Sequence, residues 1–468
     1  MFKLTHRRAV FPIFLLLLLA GACTAQTFTT LVDFDGSNSA MLPSWSLIQG
    51  LDGGFYGSTE GTVFSVTSAG ALTTVQSVLY SHLSVQGLNG AFYGTTPSGG
   101  ARNSGTVFKL TAAGTLTTLY SFCSQSNCVD GVNPYGGLVL ATDGNFYGTT
   151  TGGGMHGHGT VFKITAAGKL TTLCSFTAIG FAGTALVEGV DGNFYGTTSD
   201  GGANGKGSVF SVTPLGALTT LHSFTGSDGS SPYDALIVGA DGSLYGTTYS
   251  GGASNNQLCD GIGCGTMYRM ARQGRLKTIY NFCSQSGCVD GQFPYGDLLL
   301  GSDGNFYGTT NSGGAFGQSC PFGICGTVFQ ITPQGALTTL HSFQGSDGSS
   351  PFAGLLQGTD GSFYGSTGLG GTFSCGGTGC GTVFKISTGL SAFVATRPAS
   401  GKVGQAVIIL GNNLKGSTAV SFNGTPATFK IDSNTAIRTT VPAGATTGEV
   451  EVTTPAGVLK SNVVFRVR

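Results

Sequence analysis

The chain has 468 residues, enough for two or three domains or for one large repeat domain with a small one. Its 81 glycines have no period of three, which excludes collagen, and 32 Phe with 15 Tyr exclude a disordered chain. The formal net charge is zero and only 9% of residues are charged, so we expect no nucleic-acid partner.

Residues 1–25 have the pattern of a secretory signal peptide: basic residues, an apolar run and then small residues. The run is too short and wrongly flanked for a spanning helix, so the mature chain is expected to lack a transmembrane helix. We therefore predict export to the medium, the periplasm or the cell surface. Residues 20–23 (AGAC) resemble a lipobox, which would put a lipid on Cys23. We favour ordinary cleavage near Ala22 or Ala25, because the residue three positions before a lipidated cysteine is usually Leu, whereas Ala20 stands there in this chain.

A short phrase recurs along most of the chain. DGNFYGTT stands at 143–150, 191–198 and 303–310, with looser copies at 52–59, 89–96, 241–248 and 360–367. Each copy is followed by GTVF or a variant, and most of these by LTTLxSF; a proline and an apolar run precede many copies. Because these segments are rich in Val, Thr, Phe and Tyr and are separated by Gly, Asp and Pro, each unit predicts four short strands.

The Asp-Gly pair of the phrase predicts a tight turn between the first two strands, because such a turn needs positive φ. We expect the aspartates of this pair to act first as turn formers; they are Asp52, Asp143, Asp191, Asp241, Asp303 and Asp360. The adjacent aromatics Phe146 and Tyr147 predict a strand buried on both sides, as between packed blades of a propeller.

A count of strands predicts a closed ring. The FYG and GTVF segments each occur seven times, but only six full LTT segments stand between them, and FTTLVDF at 28–34 precedes the first FYG. We therefore predict an all-β fold with a seven-bladed β-propeller over residues 28–390, in which the N-terminal strand completes the last blade and removes exposed sheet edges. The alternative, an open solenoid, has no use for this displaced strand.

Ten of the twelve cysteines form five pairs with the spacing C-x4-C. The pairs lie in the longest loops, as expected of local disulfides in an exported protein, and no consistent second pair or histidine supports the alternative of zinc. Cys174 occupies a strand position that holds Tyr or His in other repeats, which predicts a free thiol. The predicted disulfides are Cys123–Cys128, Cys259–Cys264, Cys283–Cys288, Cys320–Cys325 and Cys375–Cys380.

The repeat DGNFYGTT…GG…GTVFKIT..G.LTTL.SF over residues 28–387 resembles the GloVer (Gloeo_Verruco) tandem repeat of exported bacterial proteins. The resemblance implies export and a repeat architecture, but no reaction. Residues 394–468, with the order ILGNNL…VSFNG…VPAG…VTTPAG, are similar to IPT/TIG domains and predict an Ig-like β-sandwich that acts as an adhesion or spacer module.

No pattern identifies a catalytic, cofactor-binding or metal-binding residue. His222 and His341 recur in the same strand and are interpreted as structural, and His156 and His158 lack a third metal ligand. His82 stands where other units usually have a turn residue. A second set of acidic turns, as in GSDGSSP at 226–232 and 345–351, leaves calcium binding as an alternative, although no D-x-D-x-D spacing occurs. The acids outside the repeat are the candidates for individual roles: Glu60, Glu188, Asp200, Asp234, Asp260 and Asp297.

These observations favour a non-enzymatic extracellular binding or scaffold protein, expected to be a monomer, whose partner is a glycan or another cell-surface component. The alternative is a lyase or hydrolase acting on a polysaccharide or small molecule at one channel mouth. Converging His, Glu or Arg side chains at that mouth would favour the enzyme, whereas exposed aromatics or a bare polar groove would favour the binder.

Overall fold

The computed structural model describes residues 26–36, 42–43, 45–177, 180–253, 257–259, 261–317, 320 and 324–468. The predicted signal peptide, Cys23 and Asp260 lie outside these residues. Within them, no helix is long and apolar enough to cross a membrane. The helical segments described are three short 3-10 turns, Ser126–Cys128, Gln257–Cys259 and Ser286–Cys288.

Seven antiparallel sheets follow one another along the chain as blades 1 to 7. The strands are given from the inner to the outer one. Blade 1 contains Ile48–Gln49, Phe55–Ser58, Thr62–Val66 and Leu72–Ser77, and blade 2 contains His82–Gln86, Phe92–Thr96, Thr106–Leu110 and Leu116–Ser121. Blade 3 contains Val139–Leu140, Phe146–Thr150, Thr160–Ile164 and Leu170–Ser175, and blade 4 contains Val187–Glu188, Phe194–Thr198, Ser208–Val212 and Leu218–Ser223. Blades 5 to 7 are Ile237–Val238, Leu244–Thr248, Thr266–Met270, Leu276–Asn281; Leu299–Leu300, Phe306–Ser312, Thr327–Ile331, Leu337–Ser342; and Leu356–Gln357, Phe363–Thr367, Thr382–Ser387, Thr27–Asp33.

The N-terminal strand closes the ring, as predicted. Thr27–Asp33 pairs antiparallel with Thr382–Ser387, from Thr27 opposite Ser387 to Asp33 opposite Thr382. The Phe28 ring stacks on His341 of blade 6 and Phe384 of blade 7, with centroids 3.6 and 5.5 Å away. The seven-bladed β-propeller, closed by the N-terminal strand, is therefore confirmed.

The middle strands are buried because neighbouring blades cover both of their faces. All five residues of Phe146–Thr150 are buried, including the adjacent aromatics Phe146 and Tyr147. Gly148 lies so close to the adjacent strand of its own blade that a Cβ there would be 2.7 Å from Cζ of Phe162, the residue opposite it. The repeated glycine is thus required by a close approach between strands within one blade.

The Asp-Gly turns are tied to the FYG strands by a repeated hydrogen bond. In blade 3, the Asn145 N–H donates to Asp143 Oδ1 (3.0 Å) and the Tyr147 hydroxyl donates to Asp143 Oδ2 (2.9 Å). The same tyrosine bond recurs at Asp52–Tyr56, Asp191–Tyr195, Asp241–Tyr245, Asp303–Tyr307 and Asp360–Tyr364. The turn aspartates therefore anchor the buried tyrosine of their own blade.

Three details differ from the sequence-based expectation. Six inner strands have only two residues, fewer than the apolar runs that precede the repeated phrase. His82 is not a turn residue, since it begins the inner strand His82–Gln86. Blade 6 also gains a short extra strand, Gln292–Pro294, which pairs with Phe306–Ser312.

Residues 394–468 form the predicted Ig-like sandwich. One sheet contains Ala395–Arg397, Ala406–Leu410, Ala436–Thr440 and Phe429–Ile431; the other contains Thr425–Pro426, Ala419–Phe422, Val450–Thr454 and Gly457–Lys460; and Ser400–Gly401 pairs in parallel with Arg466–Val467. Alternating inward residues such as Val407, Ile409, Val450 and Val452 form one core between the sheets.

The Ig-like domain packs against the propeller face that carries the Asp-Gly turns. Leu51 and Leu88 of blades 1 and 2 pack against a small apolar cluster around Ile408 and Leu410. The domain also donates hydrogen bonds to backbone carbonyls of four blades: Thr435 Oγ1 to Leu51 O (2.6 Å), Arg438 Nη1 to Leu88 O (2.8 Å), Gln405 Nε2 to Thr142 O (2.9 Å) and Arg468 Nη2 to Gly189 O (3.3 Å).

Candidate functional site

The opposite end of the central channel is lined by one aromatic or imidazole ring from each blade. These residues lie directly before or at the start of the inner strands, where the chain turns inward from the preceding outer strand. We call this ring the aromatic mouth, and its members are Trp45, His82, Tyr135, Phe181, Tyr233, Tyr295 and Phe352. Together they surround a cavity of about 580 Å³.

The rings of the aromatic mouth contact one another in two arcs. In the first arc, Trp45 stacks on His82 at 4.0 Å and meets Tyr135 edge-on at 5.3 Å. Tyr135 in turn meets Phe181 at 5.7 Å. The second arc consists of Tyr233, Tyr295 and Phe352, joined by centroid distances of 5.4 Å at both steps. These contacts hold the rings in place while leaving ring faces open to the cavity.

Several of these rings remain accessible to solvent. Tyr135, Phe181 and Tyr233 are 40%, 39% and 40% exposed, although each stands at the centre of a propeller face. Clustered exposed aromatics are unusual on a protein surface and mark a surface that binds another molecule. The hydroxyl groups of Ser46, Ser84, Thr184 and Ser199 line the same cavity and provide hydrogen-bonding partners.

Asp297 is the only charged side chain among the described residues that line the cavity. Its Oδ1 accepts a hydrogen bond from the Ala235 N–H at 2.8 Å, so the carboxylate bridges blades 5 and 6. Burial lowers the pKa of His82 to about 4, so that ring is neutral at neutral pH. The cavity therefore has a negative side and no cationic group to receive an anion.

A second carboxyl group lies behind Asp297. Asp234 is only 2% exposed, accepts the Thr247 hydroxyl proton at Oδ2, and has no hydrogen-bond partner at Oδ1. Burial, and then the charge of Asp297, raise the pKa of Asp234 to about 8. Burial likewise raises the pKa of Asp297. The two acids therefore behave as a coupled pair that retains a proton at neutral pH.

Tyr268 adds a third polar group near this pair. It stands in the third strand of blade 5, where the other blades have Phe, and its buried hydroxyl has no hydrogen-bond partner. Burial, and then the charge of Asp234, raise the pKa of Tyr268. Blades 5 and 6 thus depart from the repeat at Asp234, Tyr268 and Asp297.

Of the candidate acids outside the repeat, Asp234 and Asp297 come together, whereas the others separate. Glu188 lies at the Ig-like domain, where its Oε1 accepts from Arg468 Nη1 at 2.9 Å. Asp200 accepts a backbone N–H from Phe181, and Glu60 is exposed. The signal of the aromatic mouth in the sequence is the recurring Pro-aromatic pair, as at 134–135, which the sequence pattern indicated only as the proline and apolar run before the repeated phrase.

The predicted structural histidines contact neighbouring acids. His222 and His341 each have Nε2 at 2.8 Å from a carboxylate, that of Asp228 and Asp347 respectively. In the blade 3 loop, His156 is exposed and His158 is half-buried.

Five disulfides fasten the loops on the same face as the aromatic mouth. They are Cys123–Cys128, Cys259–Cys264, Cys283–Cys288, Cys320–Cys325 and Cys375–Cys380, and Cys174 is a half-buried free thiol. Among the described residues, the one cluster of three potential metal ligands is Cys259, Cys283 and Cys288, and disulfides engage all three. Multiple disulfides indicate a compartment outside the cytoplasm.

Solved structures are similar to this chain at low sequence identity. The extracellular domain of the proposed hybrid two-component system BT3049 from B. thetaiotaomicron has a TM-score of 0.50 and 11% identity, covering 89% of this chain and 51% of that one. A fungal alcohol oxidase of the AA5 family, in complex with copper, has a TM-score of 0.49 and 13% identity over 94% of this chain and 96% of that one. No curated protein matches the chain.

Family models account for both parts of the sequence. The Gloeobacter/Verrucomicrobia repeat matches three overlapping segments, residues 22–186, 58–257 and 180–378, and the IPT/TIG domain matches residues 392–467. The matched segments span most of the propeller and nearly all of the Ig-like sandwich. The chain therefore belongs to the Gloeobacter/Verrucomicrobia repeat family, with an IPT/TIG domain following its repeats.

Proposed function

We propose that this protein is a non-enzymatic binding module that captures sugar residues of a glycan at the aromatic mouth. The observation that carries the proposal is the placement of one ring from every blade around a single cavity. The C–H groups on a sugar face pack well against the electron-rich face of an aromatic ring, and nearby hydroxyl groups bind the polar edge of the sugar.

The charge of the cavity supports this choice of ligand. No Lys or Arg is among the described lining residues, so phosphate and nucleic acid are poorly matched to the site. The volume of about 580 Å³ falls within the range of small-molecule sites and suits a few sugar residues or the end of a longer glycan.

The IPT/TIG domain supports a role at a surface. It packs on the Asp-Gly turn face, opposite the aromatic mouth, and none of its described residues lines the cavity. Since its hydrogen bonds reach backbone carbonyls of four blades, we propose that it serves as a fixed spacer that leaves the mouth open to ligand.

A glycan-binding screen of the protein, followed by calorimetry, tests the proposal. Trp45→Ala and Tyr135→Ala are expected to weaken binding by about tenfold or more, because each removes a stacking face. The matched control is Phe373→Ala, since Phe373 is 48% exposed but does not line the cavity. Equal binding by all four proteins, or binding to surface proteins in place of glycans, would overturn the assignment.

An enzyme is the second candidate, and the Asp234–Asp297 pair favours it. Two coupled carboxyls with raised pKa resemble a general acid and base, as a hydrolase or lyase of polysaccharides requires. Incubation of each bound glycan with the protein, followed by product analysis, separates the two candidates. The binding module predicts unchanged glycan; turnover that Asp297→Asn abolishes would establish the enzyme instead.

A further inference from the structure

We infer that the ligand of the aromatic mouth carries a positively charged nitrogen, which pairs with Asp297 at the side of the cavity. This inference rests on the proposed function, because it names the chemistry of the ligand that the same site accepts. Three features of the described residues support it: a surplus charge, an unpartnered buried oxygen, and the ring faces themselves.

The charge of Asp297 is not needed for the fold. Its structural hydrogen bond, from the Ala235 N–H of blade 5, has an equivalent between blades 7 and 1. There the Gly354 N–H donates to the neutral hydroxyl of Ser46 at 3.1 Å. Both acceptors stand directly before the buried leucine of their inner strand, Leu298 and Leu47. A serine can therefore hold two blades together, and the negative charge at Asp297 needs another explanation.

The charge also lacks a counter-ion. Burial raises the pKa of Tyr268 and of Tyr295, and the charge of Asp234 adds to both shifts, so two phenols lie near the pair. Among the described lining residues, His82 is the one basic group, and burial lowers its pKa so that the imidazole is neutral at neutral pH. Asp234 beside it is 2% exposed and its Oδ1 has no partner, so no group among the described lining residues balances the charge of Asp297 in the absence of a ligand.

The aromatic rings favour the same ligand. A cation over the face of Trp or Tyr is attracted by the negative charge of the π system, and the attraction grows when water is excluded. Tyr233 and Tyr295 stack at 5.4 Å in the blades that supply Asp234 and Asp297. Aromatic faces beside a carboxylate form the usual recognition site for an organic ammonium group, so an amino sugar or another organic ammonium compound matches both features.

The experiment compares glucosamine and N-acetylglucosamine oligosaccharides of equal length by calorimetry, at a pH where the free amine is protonated. Choline serves as a third probe, because it carries the cation without a sugar ring. The glucosamine oligosaccharide is expected to bind about tenfold more tightly than the acetylated one, since acetylation removes the charge.

Asp297→Ser is the decisive variant, because Ser46 shows that serine fits the equivalent position. It should reduce binding of the glucosamine oligosaccharide by about tenfold and leave the acetylated one within about twofold. Asp297→Asn is a second variant that keeps the size of the side chain. Glu60→Gln, which removes an exposed acid outside the cavity, controls for net charge and should change neither affinity.

The outcomes separate this inference from the proposed function. Equal or tighter binding of the acetylated oligosaccharide would overturn the cation and leave the glycan module standing. Binding of choline without either sugar would support the cation and overturn the glycan. Absence of binding to all three probes, and to a broad glycan screen, would overturn both.

Discussion

The two faces of the propeller are built from the same repeat, yet they differ in how strictly they follow it. On the Asp-Gly turn face, six blades repeat one hydrogen bond from a tyrosine to a turn aspartate. On the opposite face, the residue that enters the channel is Trp, His, Tyr or Phe, and Asp297 is the one acid among the described residues that line the cavity. Repeated positions thus hold the ring together, whereas positions that vary make the aromatic mouth asymmetric.

The largest expected effect is on ring closure, which both faces require. Phe34 follows the N-terminal strand, is 2% exposed, and meets Phe64 of blade 1 at 5.4 Å. Phe34→Ala should lower the free energy of unfolding by about 3 to 5 kcal/mol, because it leaves a cavity between the first and last blades. Urea unfolding measures this effect. Thr29→Ala, at an exposed position of the same strand, should stay within about 0.5 kcal/mol of the wild type.

Asp234→Asn tests whether the buried acid pair on the mouth face lowers the stability of the folded protein. The pKa of Asp234 is about 8 when folded, above its usual value of 3.8, so the folded state keeps a proton that the unfolded state loses. Stability should therefore fall as the pH rises from about 4 to about 8. The variant should flatten this dependence and gain about 2 kcal/mol near pH 8, as measured by thermal unfolding across pH. The same pH slope in both proteins would contradict the buried acid pair.

Tyr147→Phe tests the turn face. The substitution removes a hydrogen bond of 2.9 Å to the Asp143 carboxylate and should cost about 1.5 kcal/mol. Blade 2 supplies the matched comparison, because there Asn89 donates to the Tyr93 hydroxyl at 2.8 Å without a charge. Tyr93→Phe should cost about 0.5 to 1 kcal/mol, so a larger loss in blade 2 than in blade 3 would contradict the role given to the aspartates.

Tyr135→Ala should have a smaller effect on stability than the other substitutions of the two faces that leave a buried group without its partner. The ring is 40% exposed, and its contacts with Trp45 and Phe181 lie at the rim of the cavity. We expect a change of about 1 kcal/mol or less in urea unfolding, alongside the loss of ligand binding proposed above. A loss comparable to that of Phe34→Ala would mean that the aromatic mouth is part of the core and not a binding surface.

Much of the fold was predictable because its determinants are local. The Asp-Gly turns, the strand pattern and the displaced segment at residues 28–34 are visible as letters, and together they predicted seven blades closed by the first strand. The candidate site was predictable only in part. Asp234 and Asp297 stood out as acids outside the repeat, but they are 63 positions apart in numbering and nothing local links them.

What the sequence alone determined is the architecture: a repeated hairpin chemistry, a strand count that requires a closed ring, and a second Ig-like domain. The tertiary structure decided the site, because closing the ring brings seven separate inward bends to one axis. There, rings that are far apart in sequence form one cavity, and burial raises the pKa of Asp234 and of Asp297. Proximity and burial depend on the folded arrangement of all blades, which no single segment of the sequence contains.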